Sequence, residues 1–115
     1  MGQSEHDRIR DQNDKFRTGD PGIPGQRVMT QGINALLDGD QDMQLELLQF
    51  VAAFDDFSPD NDPQGHHDFG IFDFHGHRCN WKIDLYDKDY EYGSNAPDDL
   101  TQTNRVLTIL LASEY

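Results

Sequence analysis

The residues of this 115-residue chain that could do chemistry concentrate between Ser58 and Asp87. His67 and Asp68 stand side by side there, and Lys82 and Asp84 follow on a segment that alternates like a strand. A histidine flanked by carboxylates can act as a general base with a metal or proton partner. A lysine close to it can stabilise a developing negative charge. His67, Asp68, Lys82 and Asp84 are therefore the candidate catalytic set, and the reaction they suit is hydrolysis, with or without a metal. The same four residues also suit a structural role. His67 and Asp68 can tie a loop to a sheet, and Lys82 with Asp84 can form a surface pair that contributes little.

A second grouping is His66, His67, His75 and His77, with Cys79 close behind. His75, His77 and Cys79 share one face of an extended chain, and imidazole with thiolate suits zinc. Against this, there is no Cys-x-x-Cys pair, and Cys79 falls in line with Trp81 and Ile83 as a small buried residue. The four histidines stand as metal candidates, and no cofactor is assigned. Asp55, Asp56, Asp60 and Asp62 resemble a calcium loop but lack its central glycine and closing glutamate. They read as turn residues after a helix.

A third grouping points to binding. Tyr86, Tyr90 and Tyr92 alternate with Asp84, Asp87, Asp89 and Glu91, and the loop ahead of them adds Asp62 and His67. Tyrosines among carboxylates suit a basic protein partner. The charge agrees. Residues 1–37 hold five basic and five acidic side chains, while residues 38–115 hold four and seventeen, which accounts for the whole net charge of −13. Such a body repels nucleic acid and membranes and attracts basic protein surfaces. It also simply keeps a protein soluble. No phosphate loop, nucleophile elbow or basic stripe is present.

Ser4 is placed to cap a peripheral helix over about Glu5–Arg17, followed by a Gly/Pro loop to Gly25. Arg27–Gln31 reads as a short strand, Ile33–Leu37 as a helical turn, and Gln41–Asp56 as a helix capped by Asp40, with Met43, Leu47, Phe50, Val51 and Phe54 on one face. Asp68–Phe74 and Arg78–Tyr86 form a hairpin through His75-Gly76. In the second strand Cys79, Trp81, Ile83 and Leu85 face one way, and Asn80, Lys82, Asp84 and Tyr86 the other. Tyr90–Tyr92 reads as a short third strand, and Asp98–Ser113 as a final helix with some strand character. The fold expected is an α+β two-layer sandwich, an antiparallel meander of three or four short strands against two or three helices. It forms one domain over residues 1–115, with 1–26 peripheral and 27–115 the core. The single cysteine suits a reducing, cytoplasmic setting, and Met1–Arg17 reads as neither signal nor transit peptide. No apolar run is long enough to span a membrane.

Asn61-Asp62-Pro63, Gly65, His67-Asp68-Phe69-Gly70, Trp81-Lys82-Ile83-Asp84-Leu85-Tyr86-Asp87 and the closing run Arg105–Tyr115 occur in the order seen in a small bacterial family. From Arg8 to Tyr115 the chain resembles domain-of-unknown-function family 3768. The resemblance implies a proteobacterial protein, often plasmid- or phage-associated, and no established activity. His66 stands where a glutamate is usual, and His75, His77 and Cys79 are not part of the pattern. Residues and resemblance together lead to a non-catalytic factor binding a basic protein surface. Its specific form is an inhibitor of a host defence nuclease, a nucleic-acid mimic of the anti-restriction or anti-CRISPR kind acting on a nucleic-acid-binding effector. The alternatives are the small hydrolase and a regulatory homo-oligomer. Oligomeric state is left open.

Overall fold

The computed structural model describes residues 4–60 and 62–115, so Asn61 of the Asn-Asp-Pro motif lies outside the described residues. Helix α1, Glu5–Arg17, begins where the Ser4 side chain accepts the Asp7 N–H, closing one of the free donors of a helix start. Strand β1 is Gly25–Met29, and α2, Gln31–Leu37, is capped by Thr30. Helix α3 is Gln41–Ala52, with Asp40 accepting from Met43 at 3.0 Å as the expected cap. Strands β2, Phe69–Phe74, and β3, His77–Tyr86, are joined at His75-Gly76, whose φ values of 49° and 80° give the turn that follows strand twist. Strand β4 is Asn104–Leu111, and a 3-10 turn over Ala112–Glu114 follows it.

The class is α+β, as expected, but the sheet is not a pure meander. Its order is β1-β4-β3-β2, with β1 parallel to β4 and the other neighbours antiparallel. The expected final helix over Asp98–Ser113 is overturned, because its apolar run forms β4. The strand carries apolar residues on both faces, Leu107 and Ile109 on one and Val106 and Leu110 on the other, and at this length such a run looks the same as a helix stripe. Arg105, Leu107 and Ile109 face inward, while Leu110 is buried on the outer side.

Tyr90–Tyr92 is also not a strand. The Asp87 carboxylate accepts from the Asp89 and Glu91 N–H groups, Tyr90 is left-handed at φ 58°, and only a single bridge, Tyr86 to Gly93, pairs the segment. A side chain that satisfies the backbone locally removes the donors a ladder needs.

Phe16, Ile33, Leu47 and Val51 from the helices and Phe54 just past α3 meet Phe72, Phe74, Cys79, Trp81, Ile83, Leu107 and Ile109 from the sheet in one apolar cluster. Helix α1 is therefore not peripheral. It buries Ile9 and Phe16, and between them the polar Asn13, with Arg17 one turn on from Asn13. Helix α3 stops at Ala52 rather than Asp56. The Arg17 guanidinium takes its last carbonyls, donating to Val51 O at 3.1 Å and Ala52 O at 2.8 Å. The outer sheet face carries Lys82, Asp84 and Tyr86 as expected, but it is not uniformly polar or open. Asn80 and Leu110 are buried on it, and the Tyr115 ring packs against Phe69 at 5.9 Å.

Candidate functional site

His67 sits in the loop before β2 with φ 53°, and its own N–H donates to Asp62 Oδ1 at 3.1 Å. Its ring lies flat on Phe57, centroids 3.7 Å apart. Nδ1 donates to the Asp14 carboxylate at 2.8 Å, and Nε2 faces Asp62 Oδ2 at 3.6 Å. Asp14 in turn accepts from Arg17, whose guanidinium lies over both Phe57 and Trp81. The carboxylates near His67 are thus Asp14 and Asp62, not Asp68 and Asp84. Both ring nitrogens point at carboxylates within the protein, which makes the imidazole a tie between α1 and the loop. We expect His67→Ala to lower the unfolding free energy by about 1–3 kcal/mol, and Lys82→Ala to change it by less than about 0.5 kcal/mol. Urea unfolding of the two variants measures the difference.

A second buried tie runs beside it. The Asn13 amide donates to the His66 carbonyl at 2.9 Å, and its oxygen accepts Arg105 Nε at 2.7 Å. Arg105 also donates to Gln12 at 3.0 Å, and burial lowers its pKa to about 10. Asp14, Arg17 and Asn13 belong to none of the groupings read from the sequence, and Arg105 only opens the closing run. The signal available was Asn13 lying between Ile9 and Phe16 on one helical face.

Asp68, Lys82 and Asp84 do come together. They line a groove of about 410 Å³ on the outer sheet face with Asp60, Phe69 and Tyr115, and Lys82 pairs with Asp84 at 3.4 Å. His67 does not line it. Burial pushes the Asp68 carboxyl up, opposed by the neighbouring His66. A carboxyl whose folded pKa is raised binds its proton more tightly in the folded state, so ionising it costs stability once the pH passes the ordinary carboxylate range. Asp68→Asn is therefore expected to raise the melting temperature at pH 7. The gain should vanish below about pH 3.5, where Asp68 is protonated in both states. Thermal unfolding at both pH values checks the sign.

The histidines do not converge. His75 pairs with Glu46 at 3.1 Å, His66 packs on His6, and Cys79 is a free, buried thiol on the inner face. Among the described residues no group of three or more His, Cys, Asp or Glu side chains is placed to hold a metal ion. In the proposed binding set, Asp62 is buried and His67 half-buried, so neither belongs to an exposed face. Asp87 holds its loop together. Tyr90 and Tyr92 are 39% and 72% exposed, beside exposed Asp89 and Glu91.

A four-stranded mixed sheet backed by three helices, with His67, Arg17 and Arg105 committed to internal ties, and a net charge of −13 define a small acidic α+β protein. The chain belongs to the family described as Protein of unknown function (DUF3768), whose model matches residues 29–114. The match starts in β1, so α1 with Asn13, Asp14 and Arg17 precedes it. No curated protein and no solved structure matches the chain. No helix among the described residues is long and apolar enough to cross a membrane.

Proposed function

We propose that this chain is a non-catalytic binding protein that presents the acidic, tyrosine-bearing loop after β3 to a basic region of another protein. The observation that carries the reading is the exposure of Tyr90 and Tyr92 beside exposed Asp89 and Glu91, with Asp84 half-exposed on the strand that leads to them. Large aromatic rings with polar tips supply much of the binding energy at interfaces, and the surrounding carboxylates steer a basic partner to them. The enclosure of His67 between Asp14 and Asp62 favours this reading over hydrolysis, since a general base needs a nitrogen that reaches the substrate. The partner class is a nucleic-acid-binding effector met in the cytoplasm, whose basic groove this surface would occupy. An inhibitor of a host defence nuclease, anti-restriction or anti-CRISPR, is its specific form.

The test is affinity capture from host extract with wild type and with the triple variant Asp84→Asn, Asp89→Asn, Glu91→Gln, followed by binding measurements on the purified partner. The triple variant is expected to bind at least about tenfold more weakly, and wild-type binding to fall between roughly 0.1 M and 0.5 M salt. A partner insensitive to both changes would sink the proposal.

A further inference from the structure

A cleft of about 500 Å³ opens between the first turns of α1, the loop ahead of β2, and the segment after Tyr92. Ile9 and Leu85 give it an apolar wall, and Glu5, His6, His66 and Asp68 give it polar groups. No lysine or arginine lines it. The His6 and His66 rings lie 4.5 Å apart. His6 Nε2 donates to the Gln64 carbonyl at 2.6 Å and Nδ1 faces Asp7 at 3.5 Å, so both ring nitrogens are engaged within the protein. Asp68 is half-buried, and among the described residues no lysine or arginine reaches its carboxylate within ion-pair distance. The neighbouring His66 imidazole offsets only part of the cost of taking this carboxylate partly out of water, and an arriving cation offsets more of it.

We infer that this cleft receives an arginine side chain of a bound partner, its guanidinium against Asp68, Glu5 and the paired imidazoles and its methylenes on Ile9 and Leu85. The planar guanidinium fits because it forks onto a carboxylate, stacks on flat rings, and is more weakly hydrated than an ammonium. Its apolar stem matches the wall. The volume lies within the usual range for ligand sites. The inference rests on the proposed basic protein partner and deepens it. Gly93, the residue after Tyr92, lines the same cleft, so a partner seated on the tyrosine loop reaches it directly.

The test titrates isotope-labelled protein with N-acetyl-arginine methylamide and with its neutral isostere, N-acetyl-citrulline methylamide, and follows backbone amide shifts by NMR. The arginine compound is expected to shift His6, His66, Asp68 and Ser94 at concentrations at least about tenfold below those the citrulline compound needs. Asp68→Asn should abolish that difference, while Asp73→Asn, a charge change outside the cleft, should preserve it. Equal response to both compounds, shifts confined to Tyr90–Tyr92, or no effect of Asp68→Asn overturns the inference. If it fails while the partner remains sensitive to salt and to the triple variant, the cleft assignment falls and the binding reading stands.

Discussion

Asn13→Leu is expected to cost about 3–5 kcal/mol of unfolding free energy, because it strands a buried cation. Arg105 is fully buried, and among the described residues no carboxylate lies within ion-pair distance of it. Its Nε rests on Asn13 at 2.7 Å, one Nη on Gln12 at 3.0 Å, and the other Nη has no partner. Burial has already lowered its pKa to about 10. Leucine keeps the branched outline of asparagine, with two methyl groups in place of the amide, and removes the acceptor. It also frees the His66 carbonyl, which Asn13 holds at 2.9 Å. Arg105→Met removes the charge but leaves the Asn13 oxygen without its donor, and should cost less, about 1–3 kcal/mol. The double variant Asn13→Leu, Arg105→Met is then expected to recover most of the loss. Denaturant unfolding of the four proteins gives the coupling. A cost below about 1 kcal/mol for Asn13→Leu, or purely additive losses, would mean that the guanidinium is solvated by other means.

The elements that could be read in the sequence are those whose signals are local. The hairpin through His75-Gly76 follows from a turn that needs positive φ, and the inward row Cys79, Trp81, Ile83 from strict alternation. The Asp40 cap and the stripe of α3 are equally local. Strand β4 is not legible as a strand, because Val106 to Leu111 suits a helical face and a strand apolar on both faces alike. What decides between them is β1, some 80 residues earlier, which pairs Gly25 with Arg105.

The site was less legible for the same reason. The sequence places Asp68 and Asp84 in the company of His67, but the partner its Nδ1 meets, Asp14, lies 53 positions away on a helix whose polar residues look solvent-facing. Asp68, Lys82 and Asp84 share a groove because strand register brings Phe69 opposite Lys82, a consequence the hairpin did make readable. Arg17 shows the limit. Nothing near it in sequence signals that it closes the end of α3 beneath Phe57 and Trp81.

Gly70→Val should be the other severe substitution, at about 3 kcal/mol or more. Gly70 stands opposite Trp81 on the inner face, and a Cβ there would run into the indole nitrogen and meet ring carbons of Phe54 at 2.6 and 2.8 Å. Neither neighbour has room to yield. Trp81 is fully buried, with Phe54 edge-on at 5.5 Å, Phe57 at 6.4 Å and the Arg17 guanidinium at 5.4 Å. The damage should travel, because Phe57 also carries the His67 ring at 3.7 Å, so displaced aromatic packing loosens the tie between α1 and the loop. Two measurements separate overpacking from a mere loss of strand propensity. Gly70→Ala should already cost about 1–3 kcal/mol although alanine is no worse than glycine in a strand. The same change made in a Phe54→Leu background, where the ring carbons nearest the new Cβ are gone, should cost clearly less. Equal penalties in both backgrounds would place the cause elsewhere. Shifts in the His67 amide signal in Gly70→Ala would show the strain reaching the loop, as a packed core that transmits displacement requires.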